Sequence, residues 1–205
     1  MVVASRFKIR PMTLADIPQV VEVERESFPT TWPQTAYRRE LASRYARYIV
    51  LIDSSTPLER PLQPAVRRSF FGVFRRSEPA PATSERIVGY VGMWLMVDQA
   101  HIVAIAVRER YRRQGLGELL LVQAMQTAID AGLDSVTLEV RRSNSSAQDL
   151  YDKYGFLKVA VRARYYSDNH EDAIIMTTPP IQDETYREHL GRLRDAYRTH
   201  WDRDT

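Results

Sequence analysis

Arg110-Tyr-Arg-Arg-Gln-Gly-Leu-Gly117 is the stretch on which the reading of this chain turns. It follows an apolar, β-branched run, His101-Ile-Val-Ala-Ile-Ala-Val107. It precedes Leu119, Leu120, Val122, Met125 and Ile129, which recur at helical spacing. A strand therefore passes through a glycine turn into a helix. Such a turn aims free backbone N–H groups and the positive end of a helix at one point, an arrangement suited to a pyrophosphate. Arg112 and Arg113 add positive charge beside it. The loop is not a Walker A, because no Gly-Lys-Ser/Thr follows. It is not a complete dinucleotide fingerprint, because Leu120 holds the third glycine position. Taken alone, two glycines this close also fit an ordinary tight turn.

Upstream of the loop, Phe7-Lys-Ile-Arg10 alternates as a short strand. Thr13, with Asp16 three residues on, caps a helix whose apolar face is Ile17, Val20, Val21 and Val23, as far as Phe28. Pro29-Thr-Thr-Trp-Pro33 breaks that helix; a second runs from about Gln34 to Ser43, and Tyr48–Ile52 is a strand. Residues 54–86 change character, with prolines at 57, 61, 64, 79 and 81 and a basic, aromatic middle from Val66 to Arg76. They read as an inserted loop. Arg86–Met96 and His101–Val107 are neighbouring antiparallel strands. Regular alternation along the second puts His101 on the face of Val103, Ile105 and Val107.

Downstream, Gly132 stops the helix and Ser135–Val140 is a strand. Asn144 or Ser145 caps a helix that ends near Gly155. Phe156–Val161 and Ala173–Met176 are two further strands. After Pro179-Pro180, Ile181, Tyr186, Leu190, Leu193, Tyr197 and Trp201 mark a C-terminal amphipathic helix. Its apolar stripe needs cover, by default from its own domain.

The composition is that of a soluble globular chain: 205 residues, 44% hydrophobic and 27% charged. With no cysteine, disulfides, thiolate zinc sites, iron–sulfur clusters and a cysteine nucleophile are all excluded. There is no apolar run long enough to span a membrane and no signal peptide at the start, so a cytoplasmic protein is expected. A net charge of +3 does not by itself imply nucleic acid, and no stable nucleic-acid binding is expected.

Arg112-Arg-Gln-Gly-Leu-Gly117 resembles the main motif of the GNAT family of N-acetyltransferases, Gln/Arg-x-x-Gly-x-Gly/Ala opening a helix after a strand. The resemblance extends to His101–Val107, to Leu138-Glu-Val-Arg141 with Asn144, and to Ala147-Gln-Asp-Leu-Tyr-Asp-Lys-Tyr-Gly-Phe156. Phe28-Pro-Thr-Thr-Trp32 and the tail from Tyr165 to Met176 are similar to the subgroup that acetylates protein N-termini, which includes the ribosomal-protein-alanine acetyltransferases and their archaeal relatives. The resemblance implies a mixed α/β fold, a splayed and mostly antiparallel sheet flanked by helices. Residues 1–180 would form the acetyltransferase domain, with the insertion at 54–86, and residues 181–205 a helical extension.

It also implies acetyl-CoA as cosubstrate, with no metal. The pantetheine arm would lie along Ile105, Ala106 and Val107, and the pyrophosphate on Arg112, Arg113, Gln114, Gly115, Leu116, Gly117 and Glu118. Asn144 would hold the arm or cap its helix. The amine attacks the thioester directly, in keeping with a chain that has no cysteine. An α-amine, with a pKa of about 8 against about 10.4 for lysine, is partly neutral near pH 7 and needs only a modest base. Glu139 is the expected base, acting through a water; the plainer reading pairs it with Arg141. The Val107 N–H would donate to the oxyanion. Tyr151 is the expected acid toward the departing thiolate, or else a core aromatic. His101 corresponds to a histidine that works with the glutamate in archaeal relatives, or is structural.

Phe28 and Trp32 on one side, and Tyr165 and Tyr166 on the other, would flank the amine's entrance and grip a peptide. The expected acceptor is the α-amine of a protein N-terminus, with a ribosomal protein the family's suggestion. A lysine or small-molecule amine is the alternative within the fold, and a non-catalytic CoA-binding or docking module is the alternative outside enzymology. The arginines and phenylalanines of 67–76 form either a variable surface loop or a docking site for an acidic partner. Oligomeric state is open on the sequence.

Overall fold

A computed structural model describes residues 6–55 and 85–203, with side chains as far as Tyr197. Most of the insertion, including residues 67–76, and the side chain of Trp201 lie outside the described residues. The elements run β1 (Phe7–Pro11), α1 (Ile17–Ser27), α2 (Gln34–Leu41), β2 (Ala46–Asp53), β3 (Arg86–Leu95), β4 (Gln99–Val107) and α3 (Leu116–Asp130). There follow β5 (Ser135–Arg141), α4 (Ser145–Lys153), β6 (Leu157–Arg162), β7 (Ala173–Thr177) and α5 (Glu184–Arg203). The seven strands form one sheet in the order β1-β2-β3-β4-β5-β7-β6.

Each described pairing is antiparallel except β4 with β5. That parallel pair runs only from Gln99 opposite Ser135 to Ile102 opposite Leu138 and then stops. Beyond it the two strands continue on their outer partners, β4 on β3 and β5 on β7. The sheet is split at its centre, and the facing backbone edges past Ile102 and Leu138 have no strand between them among the described residues.

Local chemistry sets the helix ends that matter here. The Thr13 N–H and hydroxyl donate to Asp16 Oδ2 at 2.7 and 2.9 Å, opening a 3-10 turn that leads into α1. Asn144 Oδ1 accepts the Ala147 N–H at 3.2 Å and caps α4. Gly115, at φ 74°, is the N-cap of α3, a left-handed conformation that a side chain would strain.

The two faces of the sheet have separate cores. Val20, Val23, Tyr37, Tyr48, Val50, Ile87, Tyr90 and Ala106 fill the α1–α2 side. Val91, Met93, Leu119, Leu120, Met125 and Leu138 fill the α3 side. Burying each such leucine is worth about 1.5–3 kcal/mol. Tyr186, Leu190 and Tyr197 of α5 belong to the second core, so the stripe of the C-terminal helix is covered by its own domain.

One expectation fails within β4. Gly92 pairs with Ala104 but Met93 pairs with Ile102, so Val103 is an extra residue and the strand carries a bulge. The bulge reverses the alternation. His101 and Val103 lie toward the α1–α2 face, as do Ala104 and Ala106, whereas Ile105 and Val107 face α3. His101 therefore does not share a face with Ile105 and Val107. Among the described residues no helix is long and apolar enough to cross a membrane.

Candidate active site

Glu139 is the first β5 residue beyond the last pair with β4. Its neighbours Leu138 and Val140 point into the α3-side core, so its carboxylate projects from the opposite face, the one that carries His101. His101 Nε2 lies 2.6 Å from Glu139 Oε2. The other oxygen, Oε1, is 2.8 Å from Nη1 of Arg162 on β6. The hydrogen bond from His101 outweighs the effect of burial, and Arg162 adds to it, so the Glu139 carboxyl sits below its usual range and is ionised. Trp94 packs edge-on against the His101 ring at 5.8 Å and donates its Nε1–H to Glu40 of α2 at 2.6 Å.

The expected alternative partner, Arg141, is engaged elsewhere. Its guanidinium donates to Asp168 at 2.8 Å and to Glu171 at 3.2 Å, and covers the Tyr166 ring at 3.8 Å. These contacts pin the loop between β6 and β7, which Glu171 also ties by accepting the Ser143 N–H at 2.6 Å. Hydrogen bonds from the Ser143 side chain and N–H first, with Asn169 and Arg141 behind them, hold the Glu171 carboxyl at about 2. Tyr166 is thereby fixed between Arg141 and Tyr165, whose ring stands perpendicular at 5.2 Å. Burial pushes the Tyr166 phenol up to about 12, against the opposing pull of Arg141.

Tyr151 of α4 packs on Phe156 at 5.6 Å. Burial first, and the proximity of Tyr166 second, raise its phenol above the usual value, so it keeps its proton at any working pH. Glu139 adds to the upward shift of Tyr166, and Tyr166 in turn adds to that of Tyr151. His101, Glu139, Tyr166 and Tyr151, from β4, β5, the β6–β7 loop and α4, are linked in turn by these interactions.

Phe28 and Trp32 lie on the α1–α2 loop. Phe28 packs on the α1–α2 core, and Trp32 stacks at a tilt on Tyr37 at 6.1 Å. That loop is held by Glu24, a buried carboxylate that accepts the Trp32 N–H at 3.0 Å. Burial raises the Glu24 carboxyl above its usual value. In the sequence Glu24 is a charged residue beside an apolar helix face, and nothing in its spacing marked this loop contact. Arg162 likewise gave no signal, because its partner Glu139 comes from a strand two places away in the sheet.

In the glycine loop, Arg113 at φ 62° and Gly115 at φ 74° are both left-handed. Such residues turn successive amides toward one side and form a concave nest for an anion at the head of α3. A Cβ added at Gly117 would meet nothing within 4 Å, so that side of the loop is open. The Arg112 side chain does not point there. Its Nε donates to Val107 O at 3.0 Å and its Nη2 to Glu26 O at 3.0 Å, tying the end of β4 to α1. The Glu118 carboxylate turns to α4, accepting from Lys153 at 2.6 Å and the Tyr154 hydroxyl at 2.7 Å. Backbone N–H groups are what the loop offers an anion. No group of acidic or histidine side chains suited to a metal occurs among the described residues.

The sheet is parted at its parallel pair, with a nest at the head of the following helix and a histidine–carboxylate contact just past the last paired residues. The acetyltransferase (GNAT) family model matches residues 17–156, and the chain belongs to that family. It is an N-acetyltransferase whose cosubstrate is acetyl-CoA. A Bacillus subtilis protein named as a ribosomal protein bS18-alanine N-acetyltransferase is 33% identical over 173 residues, 84% of this chain and 95% of the relative. An N-alpha-acetyltransferase of Sulfurisphaera tokodaii is 30% identical over 174 residues, 84% of this chain and 93% of that one. The solved structure of the Escherichia coli ribosomal-protein-S18-alanine N-acetyltransferase shares the fold at a TM-score of 0.65 and 24% identity, over 85% of this chain and 94% of that one. So does a GNAT acetyltransferase of Elizabethkingia anophelis with acetyl-CoA bound, at a TM-score of 0.60 and 18% identity, over 86% and 99%.

Proposed function

We propose that the protein acetylates the α-amine of a protein N-terminus, and that His101 and Glu139 together accept the amine's proton. The observation that carries this reading is the 2.6 Å contact between the two at the mouth of the split sheet, beside the Tyr165–Tyr166 loop. Acetyl-CoA supplies an activated acyl group on a thiolate leaving group. The residues supply the rest. With Nε2 turned to the carboxylate, His101 is held in the tautomer that leaves its other ring nitrogen to accept a proton, directly or through a water. Glu139, ionised and fixed by Arg162, stabilises the charge that His101 then gains.

On the other side of the gap, protonated Tyr151 is the donor to the departing sulfur, and the Val107 N–H the donor to the carbonyl oxygen. The β4 edge of Ile105, Ala106 and Val107 takes the pantetheine arm, with Asn144 at the head of α4 near it. The nest of Arg113, Gln114, Gly115, Leu116, Gly117 and Glu118 takes the pyrophosphate through its amides, while Arg112 braces the loop rather than the ligand. Phe28, Trp32, Tyr165 and Tyr166 line the acceptor's approach. Two firmly held aromatic loops suit the first backbone units of a peptide better than an open groove would suit a lysine.

The names of the relatives support a ribosomal-protein terminus beginning with alanine as the acceptor, and hence a cytoplasmic reaction. The test is to incubate the protein with acetyl-CoA and two peptide sets, one with free termini and no lysine, the other with blocked termini and lysine. Mass spectrometry then locates the acetyl group. Transfer to free termini alone is expected. Transfer to lysine alone would discard the acceptor while keeping the fold and cosubstrate.

A further inference from the structure

We propose that Tyr197 of the C-terminal helix is a positioning residue for the pyrophosphate loop, so that α5, which lies beyond the family-matched segment, sets the enzyme's affinity for the nucleotide end of its cosubstrate. The inference rests on the reading of the glycine loop given above. The buried Tyr197 hydroxyl donates to Gly115 O at 3.2 Å, across 82 positions of sequence. The same carbonyl accepts the first helical bond of α3, from the Leu119 N–H at 3.0 Å. Gly115 is the left-handed N-cap on which the nest depends.

The peptide unit is planar and trans, so the Gly115 carbonyl and the Leu116 N–H point in opposite directions from one rigid plane. Holding the carbonyl from behind fixes where the Leu116 N–H is aimed in front. That N–H is one of the first-turn amides with no helical partner, the groups that receive an anion at a helix head. Two donors on one carbonyl also polarise the peptide and strengthen its N–H as a donor. Without the hydroxyl, the Leu119 N–H is left to hold that plane, and the glycine cap has no side chain to assist it.

α5 itself is fixed independently. Tyr186 and Leu190 are buried in the core, and the Tyr186 hydroxyl donates to Tyr154 O at 2.7 Å, at the end of α4. This provides an internal control: the two tyrosines make the same kind of bond from the same helix, and only one of them reaches the nest.

The experiment compares Tyr197→Phe, Tyr186→Phe and Gly117→Asp with the unaltered protein, using acetyl-CoA and S-acetylpantetheine as donors. The second donor lacks the pyrophosphate and nucleotide. Tyr197→Phe keeps the buried ring and is expected to raise KM for acetyl-CoA about fivefold, the scale of one net hydrogen bond, with kcat nearly unchanged. Its kcat/KM for S-acetylpantetheine stays at the unaltered level. Tyr186→Phe is expected to lower the melting temperature without raising KM for acetyl-CoA. An unchanged KM in Tyr197→Phe, an equal loss with both donors, or an equal KM rise in Tyr186→Phe would overturn the proposal. Gly117→Asp, which sets a carboxylate in the open nest, tests the loop itself. If it leaves KM for acetyl-CoA unchanged, the loop reading fails; if it raises KM while Tyr197→Phe does not, only the role of Tyr197 fails.

Discussion

Glu139→Gln is the sharpest perturbation of the proposed proton acceptor. Both carboxylate oxygens face hydrogen-bond donors, His101 at 2.6 Å and Arg162 at 2.8 Å. A glutamine in the same position offers one acceptor and one NH2 group, so one donor loses its partner and the other faces a neutral oxygen. The variant also removes the negative charge that His101 would use when it takes a proton. A positioned acid–base group is worth about 10²–10⁴ in rate. Glu139 acts through His101, which keeps its ring, so the expected fall in kcat is about 10²-fold with KM for acetyl-CoA little changed.

The stability cost is small by comparison. Arg162 is half exposed and its pair is screened, so the loss is about 1 kcal/mol, or a fall of about 2–4 °C in melting temperature for a chain of this size. That contribution has a definite pH sense. The Glu139 carboxyl is depressed in the folded state, so its stabilisation is fully present above the unfolded value of about 4.3 and is lost as pH falls below it. The assay is steady-state acetylation of a free-terminus peptide by Glu139→Gln, His101→Gln and the double variant. Residues that act as one unit are non-additive, so the double variant should lose little more than either single one. Additive losses, or more than half the activity retained in folded Glu139→Gln, would refute the reasoning.

Arg141→Met removes that residue's two ion pairs with the β6–β7 loop, to Asp168 and Glu171, and the cover over Tyr166; KM for the peptide is expected to rise about tenfold with kcat within a factor of three, read in the same assay. Asp53, buried at the end of β2, accepts from Arg6, Tyr111 and both the N–H and hydroxyl of Ser55, which hold its carboxyl at about 2. Its stabilisation is present above an unfolded value of about 3.9 and disappears toward pH 2, so Asp53→Asn should lower the melting temperature at neutral pH and flatten the acid limb of the melting curve. Gly92→Ala would place a Cβ 2.4 Å from the Tyr48 ring, which is packed edge-on by Tyr37; a loss of about 1–3 kcal/mol in denaturant unfolding is expected.

Local pattern carried the elements well. The glycine loop, the capped helices and the β-branched runs appear in the structure within a few residues of where the sequence places them, because each is set by neighbours along the chain. The Thr13–Asp16 and Asn144–Ala147 bonds are contacts of that kind. The features that escaped are set across the chain. A bulge at Val103 depends on how β4 registers on β3, and it alone decides that His101 meets Glu139 rather than the α3 face. Arg112 reads as a phosphate ligand by position, but the Val107 and Glu26 carbonyls lie closer to hand once β4 and α1 are packed. Arg162 belongs to the site only because β5 and β6, two places apart in the sheet, come together there.

The parted sheet has a consequence for how the protein endures heat. Between β4 and β5, past Ile102 and Leu138, the fold leaves facing strand edges with no strand between them among the described residues, and their polar groups need other partners. On the proposed seating along Ile105–Val107, a cosubstrate with amide groups of its own stands in for the missing rungs and binds the folded chain alone. Its concentration therefore adds directly to the free energy of folding, by about 2.7 kcal/mol at a hundred times its dissociation constant. On that seating the melting temperature rises with the concentration of acetyl-CoA around the enzyme, and the cosubstrate becomes part of what holds the two halves of the sheet together.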